Sequence, residues 1–214
     1  MQEDDTRGDG FLRSESLLSP SWRLMLLSDG SVTRHLKLLT GRVDVTTNVL
    51  WQGNIDADEP LSRDAGVIAD VSKRLRATDD VSPLLQREVD LCDASGVPLC
   101  YAASWWNLNA SRDIVLDADA ENGFGALDRP VWLKLAETKT ELFREVRRIY
   151  RGVSPALATA WDLPSDTTFW ARHYIFWYHR RPLCVIHEVM SPRLERYLGP
   201  PESAARRPPE SRRG

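Results

Sequence analysis

Two charged residues lie among apolar neighbours on segments with strand-like alternation. Because side chains alternate along a strand, Arg87 shares one side of the segment 84–92 with three aliphatic residues. Glu188 lies in the segment 183–191, whose two sides are both largely apolar, so either orientation of that strand buries it. A buried charge without a partner costs several kcal/mol. The sequence therefore predicts a compensating group for each of these two residues.

Two interpretations of this pair remain open at the level of the sequence. In the structural one, Arg87 and Glu188 form a salt bridge or pair with other core side chains. In the functional one, they line a closed pocket, where Arg87 binds a substrate anion and Glu188 contacts a hydroxyl or moves a proton. Arg172 offers a second positive group for such a pocket, or it is a solvated arginine at a strand end.

Several other kinds of chemistry have no support in the sequence. The three cysteines form no CxxC pair and do not group with the four histidines, so we expect reduced thiols and no metal site. The sequence contains no glycine motif for binding phosphate and no convincing Ser-His-Asp order. The formal net charge of −3 argues against a nucleic-acid partner. We interpret His173 and His187 as hydrogen-bonded sheet histidines, and the tryptophans as core or interface anchors.

Two predicted hairpins must hold the two charges in place. The segment around Arg87 pairs with 97–106 across a short loop that ends in Gly96. The segment around Glu188 pairs with 169–178, and three residues lie in the turn between them. Both charges are therefore expected on an antiparallel sheet.

Helices and a further strand are predicted between the hairpins and before them. Ser31 is placed to cap a helix within 29–41, and Gly41 suits its left-handed end. An alternating pattern across 43–51, which ends at Trp51, predicts a strand with the odd-numbered side chains on one face. A short helix is expected around 65–76 in a polar connection.

The segment 138–152 also has the pattern of a helix. Its first four residues, Thr-Lys-Thr-Glu, match a capping box, and Gly152 is placed to end the helix. The spacing predicts a buried stripe formed by Leu142, Phe143, Val146, Ile149 and Tyr150. Hairpins with helices inserted between them favour one α+β domain, an antiparallel sheet packed by helices.

The chain has 214 residues, enough for a single domain, which we place at 20–200. The residues 1–19 and the Pro/Arg-rich residues 201–214 are predicted to be flexible tails, and 107–129 a polar insertion. The apolar runs are too short for a membrane span, and the acidic start resembles neither a secretory signal nor a transit peptide.

Five stretches of the sequence resemble the chorismate lyase family, in the branch found in cyanobacteria and algal plastids. The stretches lie at 27–36, 85–89, 129–132, 170–174 and 182–192, and the residues 104–107 and 193–200 suit the same branch. They occur in the family's order and cover the chain from about Trp22 to Pro200.

The resemblance implies a six-stranded antiparallel sheet with helices around an enclosed ligand cavity, and no metal or organic cofactor. It implies conversion of chorismate into 4-hydroxybenzoate and pyruvate, with Arg87 binding a carboxylate and Glu188 contacting the ring hydroxyl. The positions that match Val32 and Val131 are expected to supply backbone and apolar contacts to the substrate. Arg172 or Arg34 is the expected second positive group.

The resemblance also implies a place for the protein in the cell. The product, 4-hydroxybenzoate, is expected to enter the head group of plastoquinone or ubiquinone. The protein is expected in a cyanobacterial cytoplasm or a plastid stroma, as a monomer or a weak oligomer. The alternative is a non-catalytic domain of the same fold that binds or senses aromatic acids, as in some bacterial transcription regulators. Those domains usually follow a DNA-binding winged helix, and we expect none in the residues before Trp22.

Overall fold

The computed structural model describes residues 18–41, 45–55, 70, 71, 75, 84–111 and 141–202. Six strands form one antiparallel sheet in the order β1-β2-β3-β6-β5-β4. The strands are β1 (Thr46–Ile55), β2 (Leu84–Cys92), β3 (Pro98–Asn107), β4 (Phe143–Val153), β5 (Thr168–Tyr178) and β6 (Arg181–Met190). The α+β class and the six antiparallel strands predicted from the sequence and the resemblance are confirmed.

Short helices lie before, between and after the strands. They are α1 (Pro20–Leu27), α2 (Val32–Thr40), α3 (Leu108–Ser111), α4 (Pro155–Ala160), the 3-10 helix Pro192–Leu194 and α5 (Glu195–Leu198). None of the helices in the described part of the chain has the length and apolar character needed to cross a bilayer.

Helices cover both faces of the sheet. We call the face under α1 and α2 the front face, and it carries Arg87, Ser104, Glu188 and Arg172. Apolar side chains of both helices pack there against strand residues, namely Trp22, Met25, Leu26, Val32 and Leu36 against Val89, Leu91, Cys100, Trp170 and Met190. The opposite back face packs against α4 through Tyr150, Ala158, Trp161, Phe169, Ala171 and Val189.

Both predicted hairpins are present. Between β2 and β3 the chain turns through Gly96 at φ +78°, a left-handed conformation that suits glycine. Between β5 and β6 the turn residues His179 and Arg180 both have positive φ, 42° and 68°, as a tight two-residue hairpin turn requires. The cysteines at 92, 100 and 184 are free thiols, and all three are buried.

The predicted helix α2 is confirmed together with both of its ends. The Ser31 hydroxyl accepts a hydrogen bond from the backbone N–H of Arg34, 3.5 Å away, and Gly41 ends the helix at φ 64°. This helix lies over the front face, where Val32 and Leu36 are buried.

The predicted helix across 138–152 is wrong, because the segment from Phe143 onward is strand β4. A bulge in β4 shifts the register between Val146 and Arg148, so that Val146 lies opposite Tyr174 and Ile149 opposite Arg172. Val146 and Ile149, three residues apart, therefore share the front face. The bulge thus gives apolar residues the three-residue spacing that is typical of a helix. The segment is nevertheless a strand, because it pairs with β5.

A second bulge corrects the prediction for β1. The register shifts between Val49 and Trp51, so Trp51 lies on the face opposite to Val49 rather than beside it. Both side chains are more than two-fifths exposed, as is common on the edge strand of a sheet.

Other expectations lie wholly or partly outside the described residues. They are the insertion from 112 onward, most of the helix around 65–76, and the tails as far as 17 and from 203. Leu18 is buried and forms a β-bridge with Glu202, so the two ends of the described chain meet beside α1.

Candidate functional site

Cross-strand pairing brings the predicted site residues onto one face of the sheet. In one row across the front face, Arg87 lies opposite Ser104 and Ser104 opposite Ile186. In the neighbouring row, Ala102 lies opposite Glu188, which lies opposite Arg172. Arg87 and Glu188 are thus on the same face, under the same helices.

The floor between the two charges is built from small side chains. Arg87 on β2 and Glu188 on β6 are separated by β3 alone, which sets their strands roughly 10 Å apart. At this level β3 presents two short side chains, Ala102 and Ser104, and the Trp106 indole donates to the Ser104 hydroxyl at 3.0 Å. The Ser104 hydroxyl turns to the backbone, donating to the Arg87 carbonyl at 3.3 Å.

The Glu188 carboxylate is buried and held by two donors. It is 2% exposed, its Oε2 accepts from Arg172 Nε at 2.7 Å, and its Oε1 accepts from the Tyr174 hydroxyl at 2.8 Å. Burial and the Glu188 charge raise the pKa of Tyr174 well above its usual value, so the phenol stays protonated and keeps donating. The orientation of this carboxylate is therefore fixed before any ligand binds.

Arg172 is fully buried, so the interpretation as a solvated strand-end arginine is wrong. Besides Glu188, it donates to the backbone carbonyls that end α1 and lead into α2, those of Met25, Leu26, Ser28 and Gly30, at 2.9 to 3.4 Å. Burial works against its charge, but the Glu188 carboxylate raises the pKa of the guanidinium. Arg172 thus ties the sheet to the α1–α2 loop and orients Glu188.

Arg87 is 5% exposed, which confirms the prediction that it points into the protein. It forms no ion pair with Glu188, whose carboxylate is paired with Arg172 and Tyr174. Of the structural interpretation, pairing with other core side chains is confirmed for Glu188, and only a direct salt bridge between Arg87 and Glu188 is wrong. The two groups lie on one face and are not joined.

The remaining predicted residues fall in different places. Val32 is the first residue of α2 and is 4% exposed, packed in the cluster that contains Val89 of β2. Arg34 is exposed on α2. Val131 lies outside the described residues, so its contacts, and the enclosed cavity that they would complete, stay predictions.

Two front-face residues were missed by the sequence reasoning. Tyr174 holds Glu188, and nothing in the sequence distinguishes it from any other strand tyrosine. Arg144 was assigned to a helix, and the structure places it on β4 opposite Phe176, on the front face. If the segment is interpreted as a strand, side-chain alternation places Arg144 on the same face as Val146 and so indicates that Arg144 belongs to the front face.

His35 of α2 lies near the same charges. Burial and the positive charge of Arg172 lower the pKa of His35, so its imidazole is neutral at pH 7. Its Nδ1 is buried with no hydrogen-bond partner among the described residues, and its Nε2 lies 3.5 Å from the Ser28 hydroxyl.

A separate polar network occupies the back face. The Nε2 of His173 lies 2.9 Å from Asp70, its Nδ1 contacts the Tyr150 hydroxyl, and Arg147 reaches the same Asp70 oxygen at 3.1 Å. Burial opposes ionisation of Asp70, but the hydrogen bonds from His173 and Arg147 outweigh it and lower the pKa to about 2. The prediction of His173 as a hydrogen-bonded sheet histidine is confirmed.

Chemically, the front face offers a fixed carboxylate and a buried guanidinium across a floor of small residues. A buried arginine favours an anionic ligand group, and a carboxylate with two donors already in place can accept a hydrogen bond from a ligand hydroxyl. A small organic acid that carries a hydroxyl suits this arrangement.

Solved structures share the fold. Gene product SA0254 of Staphylococcus aureus gives a TM-score of 0.54 at 14% identity, covering 78% of this chain and 92% of that one. The effector domain of PhnF from Mycobacterium smegmatis gives 0.53 at 15% identity, covering 79% and 93%. At this identity the likeness concerns the fold alone.

Sequence relatives cover most of the chain. The protein ycf21 of Cyanophora paradoxa is 28% identical over 177 residues, 83% of this chain and 80% of its own length. The ycf21 protein of Porphyra purpurea is 24% identical over 177 residues, 82% and 83%. The model of the family described as "Chorismate pyruvate-lyase Rv2949c-like" matches residues 26–198, a stretch that includes both Arg87 and Glu188. The chain therefore belongs to the Rv2949c-like chorismate pyruvate-lyase family.

Proposed function

We propose that the protein is a chorismate pyruvate-lyase, which converts chorismate into 4-hydroxybenzoate and pyruvate at the front face of the sheet. The observation that carries the proposal is the placement of Arg87 and Glu188 on one buried face without contact between them. Membership of the family supports the same reaction.

The geometry suits the ring of the substrate. Chorismate has a ring carboxylate and, on the opposite side of the ring, a hydroxyl. Arg87 binds the carboxylate through paired N–H donors, and Glu188 accepts a hydrogen bond from the hydroxyl. A separation of two strands, roughly 10 Å between the strand axes, leaves room for a six-membered ring and one hydrogen bond at each end.

The reaction needs little covalent help from the protein. The ring carbon that bears the hydroxyl loses its hydrogen as a proton, and the electron pair enters the ring. The neighbouring C–O bond breaks, and its electron pair leaves with the enolpyruvyl oxygen. The departing group takes up a proton and becomes pyruvate, and the ring becomes aromatic, which drives the reaction.

The side chains then act mainly by orientation and electrostatics. Arg87 fixes the ring in the site, and Glu188 holds the hydroxyl beside the carbon that loses its proton and assists that transfer. Arg172 and Tyr174 are positioning residues, since they act by holding the Glu188 carboxylate. Val32 and Val131 are proposed to line the apolar part of the site.

The test is direct. Purified protein is mixed with chorismate, pyruvate is followed in a coupled assay, and 4-hydroxybenzoate is followed by chromatography. The proposal expects both products in equal amounts, at a rate proportional to protein concentration and well above the spontaneous decay of chorismate. Binding of 4-hydroxybenzoate without turnover would replace it with the alternative, an aromatic-acid-binding domain.

The product is proposed to enter the synthesis of a quinone head group, in a cyanobacterial cytoplasm or a plastid stroma. Similarity to the ycf21 proteins of Cyanophora paradoxa and Porphyra purpurea supports this setting. Loss of the gene should lower the quinone content of the cell, and added 4-hydroxybenzoate should restore it.

A further inference from the structure

Arg144 of β4 is a cation whose hydrogen-bond donors are not used by the described protein. Its Nε is buried and has no hydrogen-bond partner, and no described side chain forms an ion pair with it. Other arginines of the same strand differ: Arg147 binds Asp70 and Glu145, and Arg151 binds Glu202. A partly buried guanidinium with unused donors is suited to an anionic ligand group.

Two aromatic rings hold the Arg144 guanidinium in position. Its Cζ lies 4.7 Å from the ring centroid of Tyr174 and 4.7 Å from that of Phe176. The two rings meet edge to face, with centroids 5.3 Å apart. Stacking of this kind restricts the arginine without using its N–H groups. The donors therefore stay available in a defined place.

That place is next to Glu188. The Tyr174 ring that supports Arg144 carries the hydroxyl that donates to Glu188 at 2.8 Å. Arg172 also lies over this ring, with its Cζ 5.2 Å from the centroid. Two guanidinium groups thus surround Tyr174, and among the described residues the Glu188 carboxylate is the one negative charge beside them, which leaves one positive charge in excess.

The proposed substrate carries a second carboxylate at the matching position. Resting on the proposed function, with Arg87 at the ring carboxylate and Glu188 at the hydroxyl, the enolpyruvyl ether projects from the ring carbon next to the hydroxyl. Its carboxylate consequently lies at the Glu188 end of the site and far from Arg87. Arg144 is the described arginine at that end whose donors are not already used by the protein.

We propose that Arg144 binds the carboxylate of the enolpyruvyl group and so selects dianionic substrate over the monoanionic product. The same contact stabilises the negative charge that develops on the leaving oxygen when the C–O bond breaks. After the reaction, the remaining 4-hydroxybenzoate has no group that reaches Arg144, and its release is correspondingly easier.

The test compares two ligands by calorimetry. One is 4-hydroxybenzoate, and the other is 3-(1-carboxyvinyloxy)-4-hydroxybenzoate, an aromatic analogue that keeps both carboxylates and cannot react. Arg144→Met should weaken binding of the analogue by about 10- to 100-fold, since a hydrogen-bonded charge pair is lost, and should change binding of 4-hydroxybenzoate by less than about 2-fold. Arg144→Lys, which keeps the charge, should recover part of the loss.

Arg151→Met is the matched control, because Arg151 is on the same strand and is already paired with the exposed Glu202. It should leave both affinities unchanged. An equal loss for both ligands in Arg144→Met, or no loss for the analogue, overturns the proposal, as does a wild-type protein that binds neither ligand.

Turnover separates this proposal from the proposed function. If the wild-type protein does not convert chorismate but discriminates between the two ligands through Arg144, the lyase activity is refuted. The role of Arg144 in binding is then supported. A protein that converts chorismate with the same kcat/KM in wild type and Arg144→Met keeps the activity and refutes the role of Arg144.

Discussion

Arg172 and Glu188 face each other directly across β5 and β6, with Nε of the arginine 2.7 Å from Oε2 of the glutamate. Both side chains are at most 3% exposed, and the same arginine reaches the α1–α2 loop. This pair therefore fixes the carboxylate of the proposed site and attaches the covering helices to the sheet.

Replacing one partner of this pair should lower the free energy of unfolding more than replacing both partners. Arg172→Met leaves a buried carboxylate unpaired, and we expect a loss of about 3 to 5 kcal/mol in the free energy of unfolding. The double variant Arg172→Met/Glu188→Met should recover part of this loss, and only part, because four backbone carbonyls at the end of α1 and in the α1–α2 loop still lack their donor. Urea unfolding of the wild type, both single variants and the double variant measures the coupling. Losses that simply add in the double variant would show that the two side chains do not interact.

Tyr174→Phe tests whether the orientation of Glu188 matters for turnover. The substitution removes one donor from the carboxylate and leaves the ring that supports Arg144. We expect kcat for chorismate to fall about 10-fold, with KM nearly unchanged. The control is Tyr197→Phe, on the exposed helix α5, which should change neither constant. Unchanged kcat in Tyr174→Phe would remove the phenol from the mechanism.

The back-face network should make stability depend on pH in the acid range. The pKa of Asp70 is about 2 in the folded protein and about 4 when unfolded, so its ionised form favours folding. This contribution, about 2 kcal/mol, is complete above pH 4 and is lost as pH falls from about 4 to about 2. The difference in unfolding free energy between wild type and Asp70→Asn should therefore be largest near neutral pH and vanish near pH 2. A difference that does not change with pH would contradict this account.

The effects of substitutions at Gly30 and His35 on the free energy of unfolding should depend strongly on each other. A Cβ at position 30 would lie 2.5 Å from His35 Nε2, so Gly30→Ala must displace the imidazole. We expect a loss of about 1 to 3 kcal/mol, typical of overpacking. His35→Ala opens the space, and the double variant Gly30→Ala/His35→Ala should be more stable than Gly30→Ala alone. Thermal unfolding measures this, and a double variant that is less stable than either single one would show that the clash is not the cause.

Much of the sheet follows from local patterns in the sequence. The hairpins of β2–β3 and β5–β6 consist of strand-like segments joined by short turns, and the ends of α2 carry Ser31 and Gly41. The alternation of side chains along β2 correctly predicts that Arg87 is buried. These features are decided by residues that are close in sequence, so they could be predicted.

The remaining features depend on contacts between distant residues. The bulge in β4 imitates helical spacing, and only pairing with β5 shows that Arg144 lies on the front face. The partner of Glu188 could not be chosen from the sequence, because Arg87, Arg172 and Arg144 all fall on that face. Strand order placed β5 directly beside β6 and so gave Arg172 the shortest path to the carboxylate.

The most direct test of the central claim is the rate of chorismate turnover in Arg87→Met. Methionine fills the buried volume without the charge, and the far-UV circular dichroism should match that of the wild type. We predict that turnover falls at least about 100-fold because the ring carboxylate loses its anchor. Arg196→Met, which removes an exposed arginine paired with Asp93, should keep the wild-type rate. Near-wild-type turnover in a folded Arg87→Met protein would contradict the account.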